Sequence, residues 1–144
     1  METVLVVERD PGNSRILQTV LVNIGGYEVV VVEDGAKAVE KIKWHCPDVV
    51  LLDLPLLNAD GSKVLEEVIS LRPALPVIVA VDPAEELTAV RAVQKGAQDY
   101  LIRPFENIEL WMKVRRALKK AQGSRENLGL ATTFEEQGGR YVDH

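Results

Sequence analysis

The chain has 144 residues, of which 47% are hydrophobic, which is enough for one domain with a core of its own. Seventeen basic and twenty-two acidic residues give a net charge of −5, which argues against a general nucleic-acid surface and against an anionic-membrane patch. The lone Cys46 excludes an intramolecular disulfide, and charges occupy the start, where a signal peptide has its apolar stretch. We therefore predict a cytoplasmic protein that binds proteins or small ions, with no nucleic acid and no membrane among its partners.

Five short apolar runs alternate with amphipathic helical segments along the chain. Most of the runs are rich in Val, Ile and Leu without polar alternation, which is typical of parallel strands that are buried on both faces. The pattern therefore predicts an α/β fold with a doubly wound parallel sheet. The predicted strands are residues 3–7, 27–32, 49–52, 77–81 and 100–102.

Capping residues mark where the helices begin. Asp10-Pro11 and Asp82-Pro83 each place a carboxylate before a proline at the first helical position, which predicts two N-caps rather than two reactive acids. Asp34 is predicted to cap a further helix. The predicted helices begin at these caps, near Ser62 and near Asn107, and they end near Gly25-Gly26, Trp44, Leu71, Gly96 and Ala121.

The periodic pattern ends at Gly123. The stretch from Gly123 to the last residue carries four glycines and only scattered apolar residues. This composition predicts a flexible C-terminal tail over residues 122–144, after a domain over residues 1–121. The alternative is a partner-binding segment that uses Phe134 or Tyr141.

Reactive side chains are expected beyond the carboxyl ends of the predicted strands, because these ends meet at one edge of a parallel sheet. Asp53 closes the apolar run 49–52 and is the best candidate for the chemistry. Carboxylates from two strand ends suit a hard cation such as Mg²⁺. The strand ends contribute Glu8 and Arg9, Asp53, Val81 and Asp82, and Arg103.

Three segments resemble the response-regulator receiver domain of two-component signalling, and the resemblance extends over roughly residues 3–121. Residues 4–11 (VLVVERDP) resemble the acidic end of the first strand, and residues 47–53 (PDVVLLD) resemble the strand of the phosphoacceptor, with Asp60-Gly61 at the usual offset. Residues 96–105 (GAQDYLIRPF) resemble the fifth-strand signature. The resemblance implies a flavodoxin-like fold with strand order 2-1-3-4-5 and helices on both faces.

The resemblance also implies an activity and partners. In the family, a magnesium-dependent aspartyl phosphate is received from a histidine kinase and shifts the face built from the fourth helix, fifth strand and fifth helix. Other signalling proteins, or a second copy in a homodimer, can dock on that face. Asp53 falls on the phosphoacceptor, Glu8 on the first acidic position, Pro55 on the residue whose carbonyl binds the metal, and Tyr100 on the switch aromatic.

Four positions depart from the family pattern. Arg9 stands where the second metal-binding acid is expected, so we expect impaired magnesium binding. Val81 replaces the switch hydroxyl, and Arg103 replaces the lysine that pairs with the acceptor, which keeps the charge but not the shape. Leu57 stands where the family usually has a proline.

These departures predict an atypical receiver, a pseudo-receiver that acts by protein–protein interaction and is a signalling module rather than an enzyme. Asp53, Arg9 and Arg103 would then form a constitutive ion-pair cluster, with Arg9 turned inward. A solvent-facing Arg9 is the alternative. Two other functions stay open, a conventional response regulator phosphorylated at Asp53 by a histidine kinase, and a flavodoxin-like module that senses a small molecule.

Basic residues concentrate on the fourth and fifth predicted helices. One explanation is solvated helix faces with cations placed favourably near helix C-termini. The other is a docking surface for effectors or for a second copy. The residues are Arg91, Lys95, Lys113, Arg115, Arg116, Lys119 and Lys120.

Overall fold

The sheet has five parallel strands in the order β2-β1-β3-β4-β5, which confirms the predicted fold and strand order. The computed structural model describes the backbone of residues 1–55 and 60–136, and side chains within 1–55 and 61–123. The strands are β1 (Thr3–Glu8), β2 (Glu28–Val32), β3 (Val49–Asp53), β4 (Val77–Val81) and β5 (Asp99–Ile102). The helices are α1 (Pro11–Asn23), α2 (Gly35–Trp44), α3 (Asp60–Leu71), α4 (Glu86–Gln94) and α5 (Asn107–Glu136), with a 3₁₀ turn at Pro83–Glu85.

Two hydrophobic cores lie on opposite faces of the sheet. Because side chains alternate along a strand, Val50 and Leu52 of β3 pack with α2, α3 and α4, while Val49 and Leu51 pack with α1 and α5. Every residue of β3 is buried. The apolar run of residues 49–52 is uninterrupted because both faces of β3 are buried, as predicted.

Two of the three predicted caps are confirmed. The Asn13 N–H donates to the Asp10 carboxylate over 2.8 Å, and the Lys37 N–H donates to Asp34 over 2.8 Å. The prediction for Asp82 is wrong, because its side chain caps no N–H and instead accepts from Arg103. The Asp82 carboxylate thus contacts a side chain that is distant in sequence instead of a backbone N–H of the turn that follows it.

Helices α2 and α3 approach each other closely at Gly35. A Cβ built there would overlap Val64 Cγ2, so the contact requires a residue without a side chain. This contact fixes the first turn of α2, and with it the Asp34 cap, against α3.

Helix α5 is longer than the sequence predicted, because it continues past Ala121 to Glu136. A single glycine costs a helix only about 1 kcal/mol relative to alanine, and no proline interrupts residues 107–136, so Gly123 does not end the helix. The backbone of residues 122–136 is helical rather than irregular. Phe134 lies on this helix, whereas Tyr141 lies outside the described residues, and the division into a domain and a tail stays a prediction.

No helix within residues 1–55 and 60–136 is both long and apolar enough to span a bilayer.

Candidate functional site

Two buried carboxylates stand side by side at the carboxyl edge of the sheet. β1 ends at Glu8 and β3 ends at Asp53, each one residue later than predicted, and the two residues are register partners. Glu8 is 6% exposed and Asp53 is 5% exposed. The predicted convergence of these two acids is therefore found.

Arg103 supplies the cation of this pocket. Its Nη2 forms an ion pair with Asp53 Oδ1, and its Nη1 lies 3.4 Å from Asp82 Oδ1. The Arg103 N–H donates to the Val81 carbonyl over 2.8 Å, which continues the β4–β5 pairing to the base of this side chain. One guanidinium thus bridges the carboxylate that ends β3 and the carboxylate that follows β4.

The three members of this bridge differ in exposure. The side chains of Asp53, Arg103 and Asp82 are 3%, 32% and 67% exposed, so the contact to Asp53 lies inside the protein and the contact to Asp82 lies in solvent. Burial lowers the pKa of the Arg103 guanidinium, and the charge of Glu8 raises it in part. A guanidinium nevertheless stays protonated in proteins, so Arg103 is a fixed positive charge.

Hydrogen bonding leaves part of the pocket unsatisfied. The Asp10 N–H donates to Glu8 Oε1 over 2.9 Å. Within the part of the chain that the structure describes, Glu8 Oε2 and Asp53 Oδ1 receive no aligned hydrogen bond. The charge of Arg103 therefore compensates the buried Asp53 carboxylate.

Arg9 is exposed, although it directly follows Glu8. It lines an open cleft of about 410 Å³ between the start of α2 and α3, together with Asp34, Lys63 and Glu67. The residue that forms the ion pair with Asp53 is Arg103. The exposure of Arg9 corresponds to the solvent-facing alternative.

The two switch positions lie on neighbouring strands. Val81, the last residue of β4, is 0% exposed and packs in the core that contains α4. Tyr100 of β5 is half-buried and packs against the same core. Valine has no hydroxyl, so Val81 cannot donate a side-chain hydrogen bond to a group on Asp53.

Lys113 of α5 holds the strand that carries Tyr100. Its Nζ donates to the Tyr100 carbonyl over 2.5 Å and lies 5.3 Å from the centre of the Tyr100 ring. Carboxylates of Asp99 and Glu109 lie 3.6 and 3.8 Å from the same ammonium. These contacts tie β5 to α5 at the switch aromatic.

The described residues fit a divalent cation poorly. Asp53 is already engaged by a guanidinium, and the Pro55 carbonyl accepts the Gly61 N–H over 2.9 Å. Within residues 1–55 and 61–123, no three His, Cys, Asp or Glu side chains are grouped to hold a metal. Leu57 and the side chain of Asp60 lie outside the described residues.

Sequence reasoning missed two residues of this region. Asp82 was assigned to a cap, although its place after β4 already put it among the strand ends. Lys113 was counted only as part of a basic helix, and no local signal links it to a strand thirteen positions earlier.

Comparisons with known proteins agree with this architecture. Residues 4–115 match the family described as the response regulator receiver domain. The chain is 35% identical over 115 residues to the transcriptional regulatory protein ZraR of Klebsiella oxytoca, and the match covers 80% of this chain and 26% of ZraR. It is 32% identical over 121 residues to the transcriptional regulatory protein CreB of Escherichia coli, which covers 84% of this chain and 52% of CreB.

A solved structure gives the same result. The receiver domain of NtrX from Brucella abortus superposes with a TM-score of 0.75 at 30% identity, and the match covers 81% of this chain and 98% of that one. Fold and site together define a flavodoxin-like signalling domain. The chain belongs to the receiver-domain family of two-component response regulators. It spans about a quarter of the length of ZraR, the relative with which it shares 35% identity.

Proposed function

We propose that this chain is an atypical receiver, a pseudo-receiver that signals through protein contacts without a magnesium-dependent phosphorylation of Asp53. The observation that supports this proposal most strongly is the ion pair between Asp53 and Arg103 in a pocket where the Asp53 side chain is 3% exposed. The guanidinium already holds one of the two Asp53 oxygens that could receive a phosphoryl group.

Charge supports the same proposal. Glu8 and Asp53 are adjacent buried acids, and two negative charges that lie side by side away from water repel each other unless a cation is close to them. Arg103 supplies a permanent one, whereas a bound metal would be added to a pocket that already holds this charge. Arg9, at the position of the missing acid, brings a further positive charge where the family has a metal ligand.

The switch positions support an output that does not depend on phosphate. Val81 is fully buried without a hydroxyl, and Lys113 holds the Tyr100 carbonyl and ring. The face built from α4, β5 and α5 is therefore expected to stay in one arrangement. We propose histidine kinases or other signalling proteins as partners, and a second copy on this face, where Leu87 and Ile108 are 62% and 48% exposed.

Asp53→Asn tests whether the ion pair contributes to the fold. We expect the free energy of unfolding to fall by about 1–3 kcal/mol, because the partly exposed Arg103 loses its buried counter-charge. Chemical denaturation of wild type and variant measures the change. An unchanged unfolding free energy at neutral pH would contradict a constitutive ion pair.

A gain-of-function variant tests the chemistry. Arg9→Asp with Arg103→Lys restores the family residues at two of the four departing positions, and Arg72→Asp is the control, because Arg72 is an exposed arginine that directly follows α3. We expect magnesium with beryllofluoride to raise the melting temperature of the double variant and not of wild type or control. A mass increase of the wild type at Asp53 after incubation with a small-molecule phosphodonor and magnesium would refute the proposal.

A conventional phosphoacceptor is the second candidate, and one observation favours it. Glu8 Oε2 is buried and, among the described residues, has no hydrogen-bond partner, as an oxygen kept for a cation would be. This alternative requires a phosphoryl group to reach Asp53 although Arg103 is paired with one of its two oxygens. The same mass measurement decides between the two, since only this candidate gives a wild-type adduct.

A further inference from the structure

Helix α5 carries a row of cations on one exposed face. Arg115, Arg116, Lys119 and Lys120 line a shallow groove of about 480 Å³ with Met112. These five residues, the basic stripe, follow the spacing i, i+3, i+4, i+7, i+8, which puts them on one side of a helix. All five are exposed.

The stripe differs from Lys113, the neighbouring cation on the same helix. Lys113 contacts two carboxylates and the Tyr100 carbonyl and ring. Arg115 stacks on the Trp111 ring at 5.3 Å, whereas no ion pair joins a stripe cation to any acid among the described residues. Arg115 and Lys119, like Arg116 and Lys120, are like charges four residues apart, a spacing that disfavours the helix.

The helix dipole does not explain the stripe. A cation gains from the dipole only within the last turn of a helix. α5 continues to Glu136, so Lys120 lies roughly 24 Å before its end at 1.5 Å per residue. The uncompensated charge therefore requires another explanation than placement at a helix C-terminus.

We propose that the basic stripe is the docking surface for an acidic amphipathic helix of a partner protein. Four cations without acidic partners, in a chain of net charge −5, are complementary to a row of carboxylates. Ile108 and Met112, 48% and 49% exposed, lie on the same side at the start of the helix and offer apolar contact. Arginine and methionine are both enriched in protein interfaces. This proposal goes beyond the proposed function and does not depend on Asp53.

Two other anionic partners fit less well. A helix that binds an anionic membrane buries an apolar face in the bilayer, but Leu110, Val114, Ala117 and Leu118 of α5 are committed to the protein core. A nucleic acid would meet four cations on an otherwise acidic protein, and exposed Ile108 and Met112 offer nothing to a phosphate.

Binding to defined probes tests the surface. The full chain, labelled with ¹⁵N, is titrated with a synthetic helical peptide that has glutamates on one face beside a row of leucines. We expect amide shifts concentrated on α5 around the stripe, and no binding of the same peptide with lysines in place of glutamates. Arg116→Glu with Lys120→Glu should weaken binding at least about tenfold.

A matched control variant distinguishes an effect of the basic stripe from an effect of the protein's net charge. Lys37→Glu with Lys41→Glu makes the same charge change at the same spacing on exposed α2, and it should leave affinity within about twofold. Circular dichroism melting checks that both double variants fold. The proposal is overturned if both double variants lose binding equally, or if shifts avoid α5. It is also overturned if duplex DNA or phosphatidylglycerol vesicles bind the stripe more tightly, or if sedimentation shows that the stripe joins two copies of the chain.

Discussion

The same dipeptide, aspartate followed by proline, comes after two strands of this domain and is used in two ways. After β1, Asp10 accepts the Asn13 N–H over 2.8 Å and caps α1. After β4, Asp82 leaves the turn at Pro83–Glu85 without a side-chain cap and lies 3.4 Å from Arg103. Both residues are exposed, so burial does not explain the difference.

The difference comes from what stands next to each strand. β5 pairs with β4 and ends beside Asp82, which brings the Arg103 guanidinium within reach. The guanidinium is a full positive charge, so its attraction for the Asp82 carboxylate competes with the neutral backbone N–H groups of the turn. Local sequence therefore offers a cap, and the neighbouring strand decides whether it is used.

Removing Arg103 should have the largest effect. Arg103→Ala leaves Asp53 buried beside Glu8 without a cation, and we expect the free energy of unfolding to fall by about 2–4 kcal/mol. It also frees Asp82 to cap the turn that follows, which would make the two dipeptides alike. Denaturation measures the first effect, and amide shifts of Ala84 and Glu85 measure the second. A loss no larger than that of Arg72→Ala would count against the buried pair.

Removing the working cap should have an intermediate effect. Asp10→Ala takes away the acceptor for the first turn of α1, and we expect a loss of about 1 kcal/mol. Asp10→Ser, which can still cap, should keep most of the stability. Faster hydrogen exchange at Asn13 in the alanine variant would locate the loss, and equal stability of the two variants would show that the cap contributes little.

Removing Asp82 should have the smallest effect. Its contact is solvent-exposed and long, so Asp82→Ala is expected to cost below about 1 kcal/mol, and less in high salt. A double-mutant cycle with Arg103→Ala isolates the coupling of the pair. A cost in Asp82→Ala that equals that of Asp10→Ala and persists in high salt would mean that Asp82 is a cap after all.

The strands were predictable because most of the apolar runs report their own burial, whereas the strand order came from the resemblance to the receiver domain. β3 is buried at every position, and its only charged residue is the terminal Asp53, so the pattern marks both the strand and the site. Glu8 and Asp53 converge because parallel strands end at one edge, a rule that needs no knowledge of side-chain packing.

Other features depend on contacts that the sequence does not encode locally. The orientation of Arg9 and the acids that Arg103 contacts depend on the neighbouring strands and helices. The spacing of residues along the sequence could not predict them. The end of α5 was missed because the residues after Ala121 show no apolar periodicity. An existing helix can be extended without such a pattern, since adding a residue to a formed helix requires only an acceptable helix propensity.

The contact between Gly35 and Val64 ties two positions together in evolution. Because a Cβ at residue 35 would overlap Val64 Cγ2, a larger residue at 35 is acceptable only with a smaller one at 64. Among related sequences, the two positions are expected to co-vary. Such covariation would reflect the shape of the helix contact rather than phosphotransfer, and it would identify relatives whose α2 and α3 are spaced differently beside Arg9.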